Sequence, residues 1–189
     1  RAASFVGVEG EPDPSAVSPE EFSTAMKYGT KLGGEPFYQA ALDYARTTSD
    51  QRERRVILST LATYAGEAEL ETLYEEVQGE DWQGQEAWSV MQSSLNNEDN
   101  RDKAWALYKQ SFDQVLPRTP EIRKPQTAGA VAAFCTPEDI KAAKSFIESK
   151  SDLMPGYERS LAQAEEAANL CAAFRSEKTS DLKTALEER

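Results

Sequence analysis

From Pro19 onward, apolar side chains recur every three or four residues along almost the whole chain, and no stretch alternates with a period of two. Side chains at that spacing share one face of an α-helix, whereas a half-buried strand needs strict alternation. An all-α fold is therefore expected. The turn signals between helices are brief, and short turns make successive helices antiparallel neighbours. About ten helices follow, and consecutive pairs recur at roughly 30 to 40 residues. That is the organisation of a HEAT- or armadillo-like α-solenoid. The tetratricopeptide pattern Trp-x-x-Leu-Gly-x-x-Tyr is missing from the sequence.

Local signals place the elements. In SPEEF, Ser18 is expected as N-cap, Pro19 in the first helical position, and Glu21 as the partner in a capping box. This helix should end at Gly33 and Gly34, where a left-handed turn is open to the chain. A second covers about residues 35–47. The third is capped by Ser49 or Asp50, lined by Ile57, Leu61 and Tyr64, and stopped by Gly66. A fourth covers about 67–78, and a fifth, with Trp88 and Met91, about 81–95. NEDNRDKAWALYKQSFDQVLP reads as a capped sixth helix with Trp105, Tyr108 and Phe112 on one stripe. That stripe is expected to pack on the helices holding Trp88 and Val131 and to join two layers of the stack.

PRTPEIRKP carries three prolines in nine residues and is expected as a loop. A seventh helix should cover about 126–134. The eighth is capped by Thr136, with Pro137 first and Asp139 in place of the usual Glu of a capping box. The ninth runs over about 157–174, and a short tenth ends near Leu186. Residues 1–17 are expected as a partly ordered lead-in to a helical-repeat domain over 18–189, itself a fragment of a larger chain. A first helix with nothing before it would leave an apolar end exposed.

Composition narrows the function. Net charge is −12, from 21 basic and 33 acidic residues. Phosphate backbones and anionic lipid faces repel such a surface, so neither nucleic acid nor membrane is an expected partner. No apolar run reaches the roughly 20 residues a spanning helix needs, and the N-terminal stretch has no signal-peptide core. The compartment stays open between cytoplasmic and secreted or periplasmic. Cys135 and Cys171 read as small buried hydrophobes on helical stripes. A disulfide between them is the alternative, which spacing alone does not decide.

There is no histidine in the chain. That removes H-E-x-x-H zinc sites and every Ser-His or Cys-His arrangement. There is no Cys-x-x-Cys pair and no Gly-rich phosphate loop. Adjacent carboxylates such as Glu75–Glu76 and Glu165–Glu166 splay on a helix and read as solvated faces. NNEDNRD has the acidity of a calcium loop but lacks its turn glycine and ends on Leu107 rather than Glu, so helix capping is the expected explanation. One cluster stands out on so acidic a chain. Arg118, Arg123 and Lys124 crowd the proline-rich segment, as a solvated loop or as a contact for a carboxylate of a peptide or another domain.

A family resemblance extends this reading. QRERRVILSTLATYAGEAELETLYE begins with an Arg-rich helix start. Asn97, Arg101, Ala104 and Trp105 follow in the next motif. Then come Phe134, Thr136, Glu138 and Asp139, and finally Pro155, Gly156, Glu158, Arg159 and Leu161. In this order and spacing, over about residues 17–186, the chain resembles the C-terminal helical domain of aminopeptidase N-type zinc metallopeptidases. That domain is also called the endoplasmic-reticulum aminopeptidase C-terminal-like domain. The resemblance implies a HEAT-like domain that closes over a catalytic domain of the same chain and forms part of the chamber holding a peptide substrate. It implies zinc and all catalytic residues in that upstream domain, and no cofactor or catalytic residue here. The alternative is an independent acidic helical-repeat module that binds a basic protein partner.

Overall fold

The computed structural model describes the backbone of residues 1–187 and the side chains of residues 1–179. Among these, all regular structure is helical. The α-helices are α1 (Ala2–Val6), α2 (Phe22–Thr47), α3 (Gln51–Tyr64), α4 (Glu67–Val77), α5 (Gly84–Ser94), α6 (Arg101–Val115), α7 (Pro137–Ser149) and α8 (Glu158–Glu187). Two compact units result, Arg1–Thr119 and Pro120–Arg189, divided inside the proline-rich segment.

In the first unit α2 packs on α3, α4 on α5, and α5 on α6. Contacts also skip one element, from α3 to α5 and from α4 to α6. Such skipping contacts are what stacked helix pairs produce, and they accord with a solenoid-like all-α fold. The α6 stripe therefore packs against α4 and α5. Tyr108 and Phe112 are fully buried with ring centroids 5.8 Å apart. Gln92 Nε2 donates to the Tyr108 hydroxyl at 3.1 Å, and Tyr74 pairs with Ser94 Oγ at 2.8 Å. Burial pushes both phenols above their ordinary range, so each stays a neutral hydrogen-bonding group. Trp105 and Trp88 are only half-buried. The deeply buried tryptophan is Trp82, 3% exposed, in the turn before α5.

The capping signals were read correctly at some helices and not at others. Asp50 caps α3, accepting from the backbone N–H of Arg52 at 2.8 Å and Glu53 at 3.1 Å. Thr136 caps α7, accepting from Asp139 N–H at 3.2 Å while its hydroxyl donates to the Asp139 carboxylate at 2.6 Å. At Ser18 the expected box does not form. Residues 19–21 are a turn, α2 starts at Phe22, and the Glu21 carboxylate is drawn to Arg1 at 2.9 Å. Nor does the polar run before α6 cap it by side chain. Asn100 Nδ2 instead donates to Ala65 O at 2.7 Å, tying the start of α6 to the end of α3.

The expected break at Gly33–Gly34 appears as a kink within α2, at Gly34 with φ 58° and ψ −157°. Only glycine reaches that conformation readily. Beyond the kink, Phe37 folds back on the preceding segment, and a methyl group at Gly29 would lie 2.3 Å from its ring. The periodicity reading also missed α1, whose five residues are too few to show a period. Phe5 lies 4.8 Å from the ring of Phe22 and 5.2 Å from that of Tyr44.

In the second unit the proline-rich segment is more ordered than its prolines suggest. A 3₁₀ helix runs Glu121–Ala133 with Pro125 inside it, and it replaces both the expected loop end and the α-helix over 126–134. Side chains at i and i+3 eclipse in a 3₁₀ helix, and the small residues of TAGAVAA relieve that crowding. The 3₁₀ helix and α7 both pack on α8. Instead of a break and a tenth helix, α8 continues to Glu187. Much of this core is alanine: Ala128, Ala130, Ala143, Ala164 and Ala168 are buried with Val131, Phe134, Ile140, Ile147 and Leu161. The cysteines are not separate hydrophobes. Cys135 and Cys171 form a disulfide, with their Cα atoms 5.2 Å apart.

Candidate functional site

The three cations that the sequence groups together are placed by different neighbourhoods. Arg118, in the first unit, closes the 3₁₀ turn Leu116–Arg118 that ends α6. Its guanidinium donates to Gln78 O at 2.8 Å, Gly79 O at 2.9 Å and Trp82 O. Three backbone carbonyls of the α4–α5 connection thus engage its fork. Gly84 makes the approach possible, since a Cβ there would lie 2.0 Å from the Arg118 carbonyl oxygen. Arg123 and Lys124 lie in the second unit. Arg123 donates to Gln126 Oε1 at 2.8 Å, and Lys124 forms an ion pair with Glu121.

The best-built polar cluster in the first unit surrounds Trp82, which sequence reading left unremarked. Arg54 of α3 stacks on its indole, 4.5 Å from the ring centroid. The same guanidinium pairs with Glu86 at 2.7 Å and donates to Asp81 O at 3.2 Å. Arg54 Nε makes no well-directed hydrogen bond despite that short contact, so charge rather than alignment holds the pair. Trp82 Nε1 donates to Glu76 Oε1 at 3.0 Å, and Arg46 Nε reaches the same oxygen at 2.9 Å. Glu86 also accepts from Gln83 N–H at 2.8 Å in a capping box for α5. Stacked and ion-paired, these groups fix a turn rather than offer a reactive centre. The expected fifth helix starts at about 81 and takes in Trp82, off its Trp88–Met91 stripe, whereas α5 starts at Gly84 and leaves Trp82 in the turn before it.

Arg46 and, secondarily, Trp82 hold the Glu76 carboxyl below its ordinary value of 4.5, against the opposing effect of burial. A depressed carboxylate contributes stability above its unfolded value, and the contribution disappears as pH falls through the folded value. Replacing Glu76→Gln should therefore cost about 1–2 kcal/mol at neutral pH. The difference from the parent chain should shrink as pH falls below 4.5. Urea denaturation of both chains at several pH values checks this.

There is no histidine, both cysteines are in the bridge, and among the described residues no three His, Cys, Asp or Glu side chains converge as metal ligands. Among the described residues no helix is long and apolar enough to cross a membrane.

The motif residues behind the resemblance have structural posts. Ala104, Phe134 and Leu161 are buried, Thr136 caps α7, and Gly156 takes φ 81° before α8. Arg101 Nε donates to Leu95 O at 3.2 Å across the α5–α6 turn. A family model described as "ERAP1-like C-terminal domain" matches residues 2–170. The chain belongs to that family. The match begins ahead of the resemblance read from the motifs and takes in α1. No curated protein matches the chain.

Proposed function

We propose that this chain is the non-catalytic C-terminal domain of a zinc aminopeptidase that removes residues from peptide N-termini. In this reading it helps to shape and close the substrate chamber of a catalytic domain in the same polypeptide. The observation that carries it is the family match over residues 2–170, in a chain without histidine. The zinc chemistry belongs to the catalytic domain, and the residues here supply surface and support. The purified chain should bind no zinc and cleave no aminoacyl reporter. Stoichiometric zinc together with reporter cleavage by the pure chain would contradict the proposal.

Arg123 and Lys124 are proposed as the cationic contact for a peptide carboxylate or a chamber wall. Arg118 shares the charge, but its fork is engaged with the α4–α5 carbonyls, and a change there would disturb that turn. In the full-length parent, removing both charges at 123 and 124 should raise KM for longer peptides by roughly three- to tenfold, as for a partly solvated ion pair. KM for a single-residue reporter should not move. Equal KM values before and after for the longer peptides would end this assignment. The Cys135–Cys171 bridge supports a secreted or periplasmic setting over a cytoplasmic one, since such bridges persist where the environment is oxidising.

A further inference from the structure

The Cys135–Cys171 bridge occupies a particular place along α8. Before it, α8 is held by Leu161, Ala164 and Ala168, all buried, and by a Lys144–Glu165 ion pair at 2.9 Å from α7. After it, Ala172 is half-buried and every described side chain from Ala173 to Thr179 is exposed. Among the described residues the bridge is therefore the last point at which α8 is tied to the buried part of this unit. Both cysteines are half-buried, and Cys135 lines an open groove with Thr136, Glu138, Ala172 and Arg175. Two positive influences act there. Cys135 immediately precedes the N-cap of α7, and Arg175 lies one turn beyond Cys171; Glu138 opposes them. Positive surroundings favour thiolates, and a stabilised thiolate is a better leaving group in thiol–disulfide exchange.

We propose that this bridge is a redox latch, opened in the folded protein by a dithiol that enters the groove, and that opening it releases α8 beyond Ala168. A reductant thiolate forms a bond to Cys135 Sγ as the Cys135–Cys171 bond breaks, and Cys171 leaves as a thiolate. The second reductant thiolate attacks the reductant's own sulfur in the mixed disulfide and expels Cys135 as a thiolate. The reductant departs as a cyclic disulfide. Two electrons pass to the bridge, and the two protons of the dithiol end on the cysteine thiols.

The test uses the intact chain without denaturant. Dithiothreitol is titrated in, free thiols are trapped by alkylation, and samples receive a brief pulse of trypsin. Exposed Arg175 and Lys178 lie beyond the bridge, and exposed Arg52, in the first unit, serves as an internal reference. The expected result is alkylation of both cysteines, with cleavage after Arg175 and Lys178 faster by roughly tenfold or more, and cleavage after Arg52 unchanged. The double substitution Cys135→Ser with Cys171→Ser should cleave fast without reductant and show no response to it. Alkylation only under denaturing conditions would overturn the proposal. So would native alkylation without faster cleavage beyond the bridge, which would make the disulfide a plain cross-link. If the double variant does not fold, the titration of the unmodified chain decides alone.

Discussion

Replacing Cys135 and Cys171 together by alanine is expected to destabilise the second unit by about 4 kcal/mol, the chain-entropy value for a closed loop of this length. The sequence separation is 36 residues. The effect should be large because the core there is thin. Five of its buried positions are alanines, each contributing little apolar area, and small cores commonly need a covalent staple. The three tryptophans, Trp82, Trp88 and Trp105, all lie in the first unit, so their fluorescence reports on that unit alone. Hydrogen exchange of peptides from residues 121–179 reads the second unit. Protection should fall there in the double variant, while the first unit's fluorescence transition in urea moves little. Unchanged protection in 121–179 would show that the alanine-rich packing suffices without the bridge.

Phe112→Ala is expected to cost about 3–5 kcal/mol, the usual range for deleting a fully buried aromatic ring. Phe112 is 0% exposed, with Tyr108 beside it at 5.8 Å, against α4 and α5. The cavity would border Tyr108, whose hydroxyl bond to Gln92 leaves its ring little freedom to fill the space. By contrast, Trp105→Ala should cost less than Phe112→Ala despite the larger ring, because Trp105 is half-buried. Urea midpoints of the two variants check the order. A larger loss at Trp105 would mean that the exposed end of the stripe, not its centre, holds α6 in place.

That contrast shows how far the sequence could be read. Helical spacing marked the α6 stripe and the buried Ile57 and Leu61 of α3, because a 3.6-residue period is a local property of the chain. Asp50 and Thr136 were legible as caps because the acceptor and the N–H it serves lie within three residues. Ser18 failed as a cap because residues 19–21 form a turn and α2 starts only at Phe22; its hydroxyl donates to the Glu21 carboxylate at 3.0 Å, beside Arg1, instead of accepting from a helix N–H. Separation along the chain hid the role of Arg118, whose carbonyl partners lie 36 to 40 residues away in sequence. Trp82 escaped because the expected fifth helix took it in, off the Trp88–Met91 stripe, whereas α5 starts two residues after it. The disulfide escaped because separation along the chain does not fix the distance between Cα atoms. The 3₁₀ winding of residues 121–133 escaped because its prolines read as a loop and its later residues as an α-helix. The family, in contrast, was legible from the order of the motifs along the chain, and the family model matches residues 2–170.

The central claim is that this domain serves a catalytic domain carried on the same polypeptide. The direct measurement is the size, zinc content and tryptic map of the native polypeptide that contains DKAWALYK, purified from its source with activity followed on an aminoacyl reporter. The account predicts a chain several times larger than 20.9 kDa, holding zinc, cleaving the reporter, and yielding an upstream peptide with H-E-x-x-H. A native chain of about 20.9 kDa, without zinc or peptidase activity, would contradict it.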